Sequence, residues 1–131
     1  MDRKLNVLVA DDSQTVLTQL EGILNGIDDL AVVGLAPNGA AAIRMTNESM
    51  PDLVLLDIVM PGLDGLSALR TIRSLHPDIE VAMVSSLGGD AAKAEEAFKL
   101  GACQVIAKPF DTESIESLVE MVRSDLEAGE R

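Results

Sequence analysis

Apolar runs in this chain stop at polar residues, and the types of those residues suggest one chemistry. "VLVA" (7–10) runs into Asp11 and Asp12 with nothing between them, and "DLVLLD" (52–57) ends in Asp57. "IEVAMVS" (79–85) ends in Ser85, and "CQVIA" (103–107) is followed by Lys108 and Pro109. Three carboxylates, a hydroxyl and an ammonium suit the handling of a phosphoryl group: acids for a hard cation, one acid as acceptor, two donors for the phosphoryl oxygens. Packed together, the acids repel; two unit charges ~4 Å apart cost ~4 kcal/mol at an effective dielectric near 20. A proton on one of them can offset this, and a divalent cation offsets it better. Mg²⁺, or Mn²⁺ in its place, takes one or two protein carboxylates and accepts phosphate oxygens beside its waters.

Each residue alone has a plainer reading. Asp12 or Ser13 can simply cap a helix. Asp57 precedes "MPGLDG", an obvious turn. Ser85 can be a strand-end hydroxyl and Lys108 a surface lysine. Their joint occurrence at four strand ends favours a site.

Those ends converge only if the elements place them so. Strand-length apolar runs fall at 5–10, 30–36, 52–57, 79–85 and 103–107. Between them lie segments of helical period. Residues 13–26 carry Val16, Leu20, Ile23 and Leu24 on one stripe that continues to Ile27. Asn38 opens a helix to about Glu48. Another, from about Asp64, bears Leu66, Leu69, Ile72, Arg73 and Leu75 and ends at "HP", 76–77. Asp90 caps a helix to about Leu100, with Gly101 as its stop, and the last runs from after Asp111 to about Leu126. Five βα units imply a doubly wound α/β fold, flavodoxin-like: a parallel five-stranded sheet in the order 2-1-3-4-5 with helices on both faces. Strands one and three are then neighbours, and ligands bind beyond their carboxyl ends. The first turn, "ADDSQT", has no G-x-G-x-x-G, which argues against a dinucleotide there.

Composition narrows the classes further. The 131 residues suit a single domain, 1–131, with its core at about 5–126. Two Phe and no Tyr or Trp leave the core to aliphatic residues. A net charge of −12 argues against direct nucleic-acid binding and against an anionic membrane. No apolar stretch approaches the ~20 residues of a span. Cys103, the sole cysteine, allows no intrachain disulfide, and the N-terminus lacks the organisation of a signal peptide. A cytoplasmic domain is expected.

With "VLVADDS", "PDLVLLDIVMPGLDG", "VAMVSS" and "GACQVIAKPF" in this order and spacing, the chain resembles a receiver domain of a two-component response regulator, from Val7 to about Leu126. The resemblance implies that Asp57 is the phosphoryl acceptor, taking the group from a sensor histidine kinase or a small phosphodonor. It implies that Asp12 ligates Mg²⁺ directly, Asp11 mainly through a water, and the backbone carbonyl of Val59 as well. Lys108 would pair with the aspartyl phosphate, Ser85 would donate to it, and the Lys108–Pro109 peptide would be cis. The chain would promote only its own phosphorylation and dephosphorylation, as a monomer or weak phosphorylation-dependent dimer. Its target would be a protein on the face of helix four, strand five and helix five, where Glu113, Glu116 and Glu120 suit a basic partner or merely a solvated surface.

The chain departs from the pattern at several positions. Val105 stands where the family often has an aromatic ring, so this chain has no ring there to swing in a coupled switch, and Ser85 replaces the commoner Thr. Val59 and Leu87 flank the acceptor and cannot orient a water, so unaided dephosphorylation is expected to be slow. Hydrogen bonds from Ser85 and Lys108 to the phosphate, ~1.5–3 kcal/mol each, suffice for a large shift of state only if both are absent beforehand. The glycines of "SSLGGDA" would let that loop and the fourth helix move. A phosphatase of the haloacid dehalogenase type wants a second Asp at position 59, which is Val. A receiver-like interaction module that is never phosphorylated is the other rival. "EAGER" (127–131) reads as a polar tail, of a stand-alone regulator or of a domain cut from a longer protein. "AVVGLAPNG" and "SSLGG" resemble the chemotaxis branches: stand-alone motor regulators and the receivers of chemotaxis methylesterases.

Overall fold

A computed structural model describes residues 4–85, 91–108 and 111–129. The elements alternate along the chain: β1 (Leu5–Ala10), α1 (Gln14–Asn25), β2 (Leu30–Ala36), α2 (Gly39–Ser49), β3 (Leu53–Asp57), α3 (Gly65–Leu75), β4 (Glu80–Ser85), α4 (Ala91–Lys99), β5 (Gln104–Ala107) and α5 (Thr112–Gly129). The five strands form one parallel sheet in the order β2-β1-β3-β4-β5, as five βα units lead one to expect. Expectations about Ser86, Leu87, the glycine-rich loop, the Asp90 cap and the Lys108–Pro109 peptide fall on or next to residues outside those described.

Two cores lie on the two faces of the sheet, and the period of two along β1 sorts its side chains between them. Leu8 and Ala10 join Val54, Leu56, Val81 and Met83 under α2, α3 and α4. Leu5, Val7 and Val9 join Leu53, Leu55 and Ala82 under α1 and α5, where Leu20, Leu24, Ile115 and Val122 pack. The central β3 is buried along its whole length, while the edge strands β2 and β5 are more open. That is the burial a doubly covered parallel sheet requires.

Helix starts follow local chemistry. Ser13 caps α1 by accepting from the Val16 N–H, Asn38 caps α2 from Ala41 N–H, and Asp64 caps α3 from Ser67 N–H. Two details differ from the apolar stripes read in the sequence. Leu17 is buried with Leu20 and Leu24, whereas Leu75, at the last turn of α3, is 56% exposed. A stripe of period 3.6 drifts around a helix, and its last member need not face the sheet.

Candidate phosphoacceptor site

The β1–β3 register ends with Ala10 opposite Leu56, so Asp11 and Asp57 are the next residues on adjacent strands. Both are buried and Asp12 is exposed. One carboxylate oxygen from each of the three lies within 4.8 Å of the others. Because Ser13 is the cap of α1, Asp12 is not held by that task.

Asp11 places one oxygen, Oδ1, on the Ser13 N–H at 2.9 Å. Its Oδ2 accepts from Lys108 Nζ at 2.9 Å, and Asp57 Oδ2 accepts from the same ammonium at 3.2 Å. Lys108 thus bridges the two buried acids. Its position follows from the edge of the sheet: Ser85 pairs with Ala107, and the Lys108 N–H donates to the Ser85 carbonyl at 2.6 Å. Asp57 Oδ1 accepts from the Val59 N–H at 3.3 Å, a contact that the type of residue 59 gives no hint of.

Burial pushes the Asp57 carboxyl above its ordinary range, and the Asp11 charge pushes the same way; Lys108 and the Val59 N–H oppose this without cancelling it. Burial disfavours the Lys108 ammonium, but its hydrogen bonds and the charges of Asp11 and Asp57 outweigh that, and its pKa is raised. Three carboxylates and one ammonium leave two uncompensated negative charges when all are ionised. The donor set is all oxygen, partly open to solvent through Asp12, and short of two positive charges. These residues fit a hard divalent cation such as Mg²⁺.

One residue for the chemistry escaped the sequence. Gly65, the first residue of α3, lies against the backbone of Asp57 itself, where an added Cβ would be 2.0 Å from the Asp57 carbonyl oxygen and 2.7 Å from the Ile58 Cα. A glycine after an Asp cap looks like ordinary turn chemistry, so the sequence carries no sign of that contact. The contact of Lys108 with Asp57 also changes the expected energetics of switching. Lys108 already has a charged partner there, so its bond to a phosphoryl oxygen would be an exchange and not a gain of full strength.

A match to the response regulator receiver domain model covers residues 7–120. The chain belongs to this family. The receiver domain is 37% identical over 124 residues to a protein-glutamate methylesterase/protein-glutamine glutaminase of Trichodesmium erythraeum, a match covering 94% of this chain and 35% of that one. A second such protein, from Burkholderia thailandensis, is 44% identical over 110 residues, 82% of this chain and 30% of that one. The chain therefore spans about a third of the length of these curated relatives. Among solved structures, the response regulator domain of Thermotoga maritima CheB matches with a TM-score of 0.82 and 36% identity, over 93% of this chain and 96% of that one. The CheX-CheY-BeF3-Mg+2 complex from Borrelia burgdorferi matches with a TM-score of 0.85 and 30% identity, over 92% and 90%.

Proposed function

We propose that this receiver domain accepts a phosphoryl group on Asp57 from a sensor histidine kinase, and that the modified domain acts on a protein partner in a chemotaxis pathway. The observation that carries this reading is the buried Asp57 carboxylate, held beside Asp11, Asp12 and Lys108 at the carboxyl edge of the sheet. An Asp57 oxygen attacks phosphorus, the P–N bond of the donor phosphohistidine breaks, and the leaving imidazole nitrogen keeps the electron pair. Asp12 and Asp57, with the Val59 carbonyl and with Asp11 acting indirectly, would hold Mg²⁺ or Mn²⁺. That ion, when bound, neutralises the charge that develops on the phosphoryl oxygens. Lys108 can move from its bridge to a phosphoryl oxygen, and the Ser85 hydroxyl is the second donor. The similarity to a complex named with Mg²⁺ supports the metal, and the methylesterase relatives support the pathway.

The output face is α4, β5 and α5. α4 buries only Ala97 along its length, which suits an element that shifts at low cost. An open groove runs between β5 and α5, lined in part by Ala107, Glu113, Ser114, Ser117 and Met121. Glu113, Glu116 and Glu120 are all exposed there and suit a basic partner surface.

Intact mass after incubation with acetyl phosphate and Mg²⁺ tests the reading. One added phosphoryl group is expected, absent in Asp57→Asn and in EDTA. No adduct on the folded wild-type protein would move the assignment to an interaction module that is not phosphorylated. Loss of the phosphate over time should be slow and should quicken in Val59→Asn, because the exposed valine beside the acceptor cannot orient water. Rapid loss from wild type, unchanged by that substitution, would refute this.

A further inference from the structure

The loop between β3 and α3 carries Val59, whose N–H reaches the acceptor, and it is pinned at both ends. At its start the Ile58 N–H donates to the Val84 carbonyl at 3.0 Å; at its end the Gly65 N–H donates back to the Ile58 carbonyl at 2.9 Å. Ile58 and Met60 anchor it in the core, at 3% and 4% exposure. Its far side meets a different element. Gly39, the first residue of α2, is buried, and a Cβ built on it would lie 2.3 Å from the Leu63 carbonyl oxygen, 3.2 Å from the Leu63 carbonyl carbon and 3.3 Å from the Leu63 Cβ. The obstacle is mostly backbone, so no rotamer change relieves it.

We infer that Gly39 is a positioning residue of the phosphoacceptor site: its missing side chain lets the start of α2 seat the β3–α3 loop, and so sets where that loop presents its backbone to Asp57. This rests on the phosphoacceptor reading above. α2 has little room to retreat. Ala41 and Ala42 in its first turn are buried in the same core as Met60. With both loop ends tied, a methyl group at position 39 displaces the stretch between them, which contains Val59 and Leu63.

The test compares wild type, Gly39→Ala and Gly22→Ala by amide NMR without metal, then by Mg²⁺ titration. Gly22 is an exposed glycine of α1 with nothing within 4 Å of an added Cβ, so its variant controls for the substitution itself. In Gly39→Ala the amides of Val59, Leu63 and Gly65 should shift, and exchange at Gly65 should quicken. Mg²⁺ affinity should fall by roughly 10-fold, the scale typical of residues that support metal ligands. Gly22→Ala should match wild type in all of these. A folded Gly39→Ala with unmoved loop amides and unchanged Mg²⁺ affinity would overturn the inference, as would shifts confined to α2. If Gly39→Ala does not fold, wild type still decides: Mg²⁺ should shift the Gly39 and Leu63 amides, and a silent Gly39 overturns the proposal. A wild type that binds no Mg²⁺ would sink the metal reading instead, while the metal-free loop shifts would still judge Gly39.

Discussion

Carboxylates crowd each other at both ends of the sheet, but with different results. At the carboxyl end, Asp57 is raised by burial and by Asp11, against the pull of Lys108. At the amino end, Glu80 opens β4 and is raised by burial and by Asp125 of α5, against the pull of Arg73. The pattern of causes is the same. Asp57, however, is 4% exposed and has two acids for neighbours, whereas Glu80 is half-buried and Asp125 is exposed. Solvent screens the second pair and leaves it a minor cost. Arg73 meanwhile has structural work, donating to the carbonyls of Pro77 and Ile79 at 2.8 and 2.7 Å. Crowded acids become a site when they are buried, aimed at one point and short of counter-charge.

Added Mg²⁺ should separate the two ends most widely. At about 100 times its dissociation constant it should stabilise wild type by ~2.7 kcal/mol, read as a rise in the urea midpoint. Glu80→Gln should keep that gain and Asp12→Asn should lose most of it; equal gains in both would place the ion elsewhere.

Next in size is Asp57→Asn in EDTA. A carboxyl whose pKa is raised by folding is best tolerated below its unfolded value, 3.8, and costs stability as pH rises through its higher folded value. At pH 7 the substitution should therefore stabilise the metal-free protein by roughly 1–2 kcal/mol, since it removes first the cost of burying the charge and then the Asp11 repulsion, less the pull of Lys108. The gain should shrink toward pH 3.8 and below. A variant less stable than wild type at pH 7 would mean that the Lys108 bridge outweighs the repulsion.

Glu80→Gln should follow the same sign, fading toward pH 4.5, but by only about a few tenths of a kcal/mol because solvent screens the pair. An effect as large as that of Asp57→Asn would erase the contrast between the two ends.

Smallest of all should be any change in reactivity at Cys103, which lies near the Glu80 end. Burial, aided by the Glu80 charge, pushes its thiol up to about 11, so it should resist alkylation at pH 8 in wild type and in Glu80→Gln alike. Rapid modification of folded protein would contradict this burial.

Much of the molecule was written locally. The caps Ser13, Asn38 and Asp64 act on N–H groups three residues ahead, and the apolar runs carry their own period, so both show in the string. Strand limits blurred by a residue: Asp52, Ile79 and Cys103 precede their strands, because an apolar run does not reveal where ladder pairing begins. At Asp52, for example, the backbone already bonds to Asn6 and Glu80, while the Asn6 N–H goes to the Asp52 carboxylate at 2.8 Å. The acids at positions 11, 12 and 57 were legible as a group because the fold class brings strands one and three together. Gly39 was legible only as the residue after the Asn38 cap, at the end of "AVVGLAPNG".

The sequence by itself therefore determined the elements, their alternation and the chemical types at the strand ends, since each depends on residues a few positions apart. Only the tertiary structure decided the rest. Lys108 lies 97 residues from Asp11 and 51 from Asp57, yet its single ammonium joins them. Gly39 meets Leu63 across two elements, and Gly65 meets the backbone of Asp57. Such contacts arise from the order and twist of strands and the seating of helices, and charge, burial and steric exclusion act through space with no regard for distance along the chain.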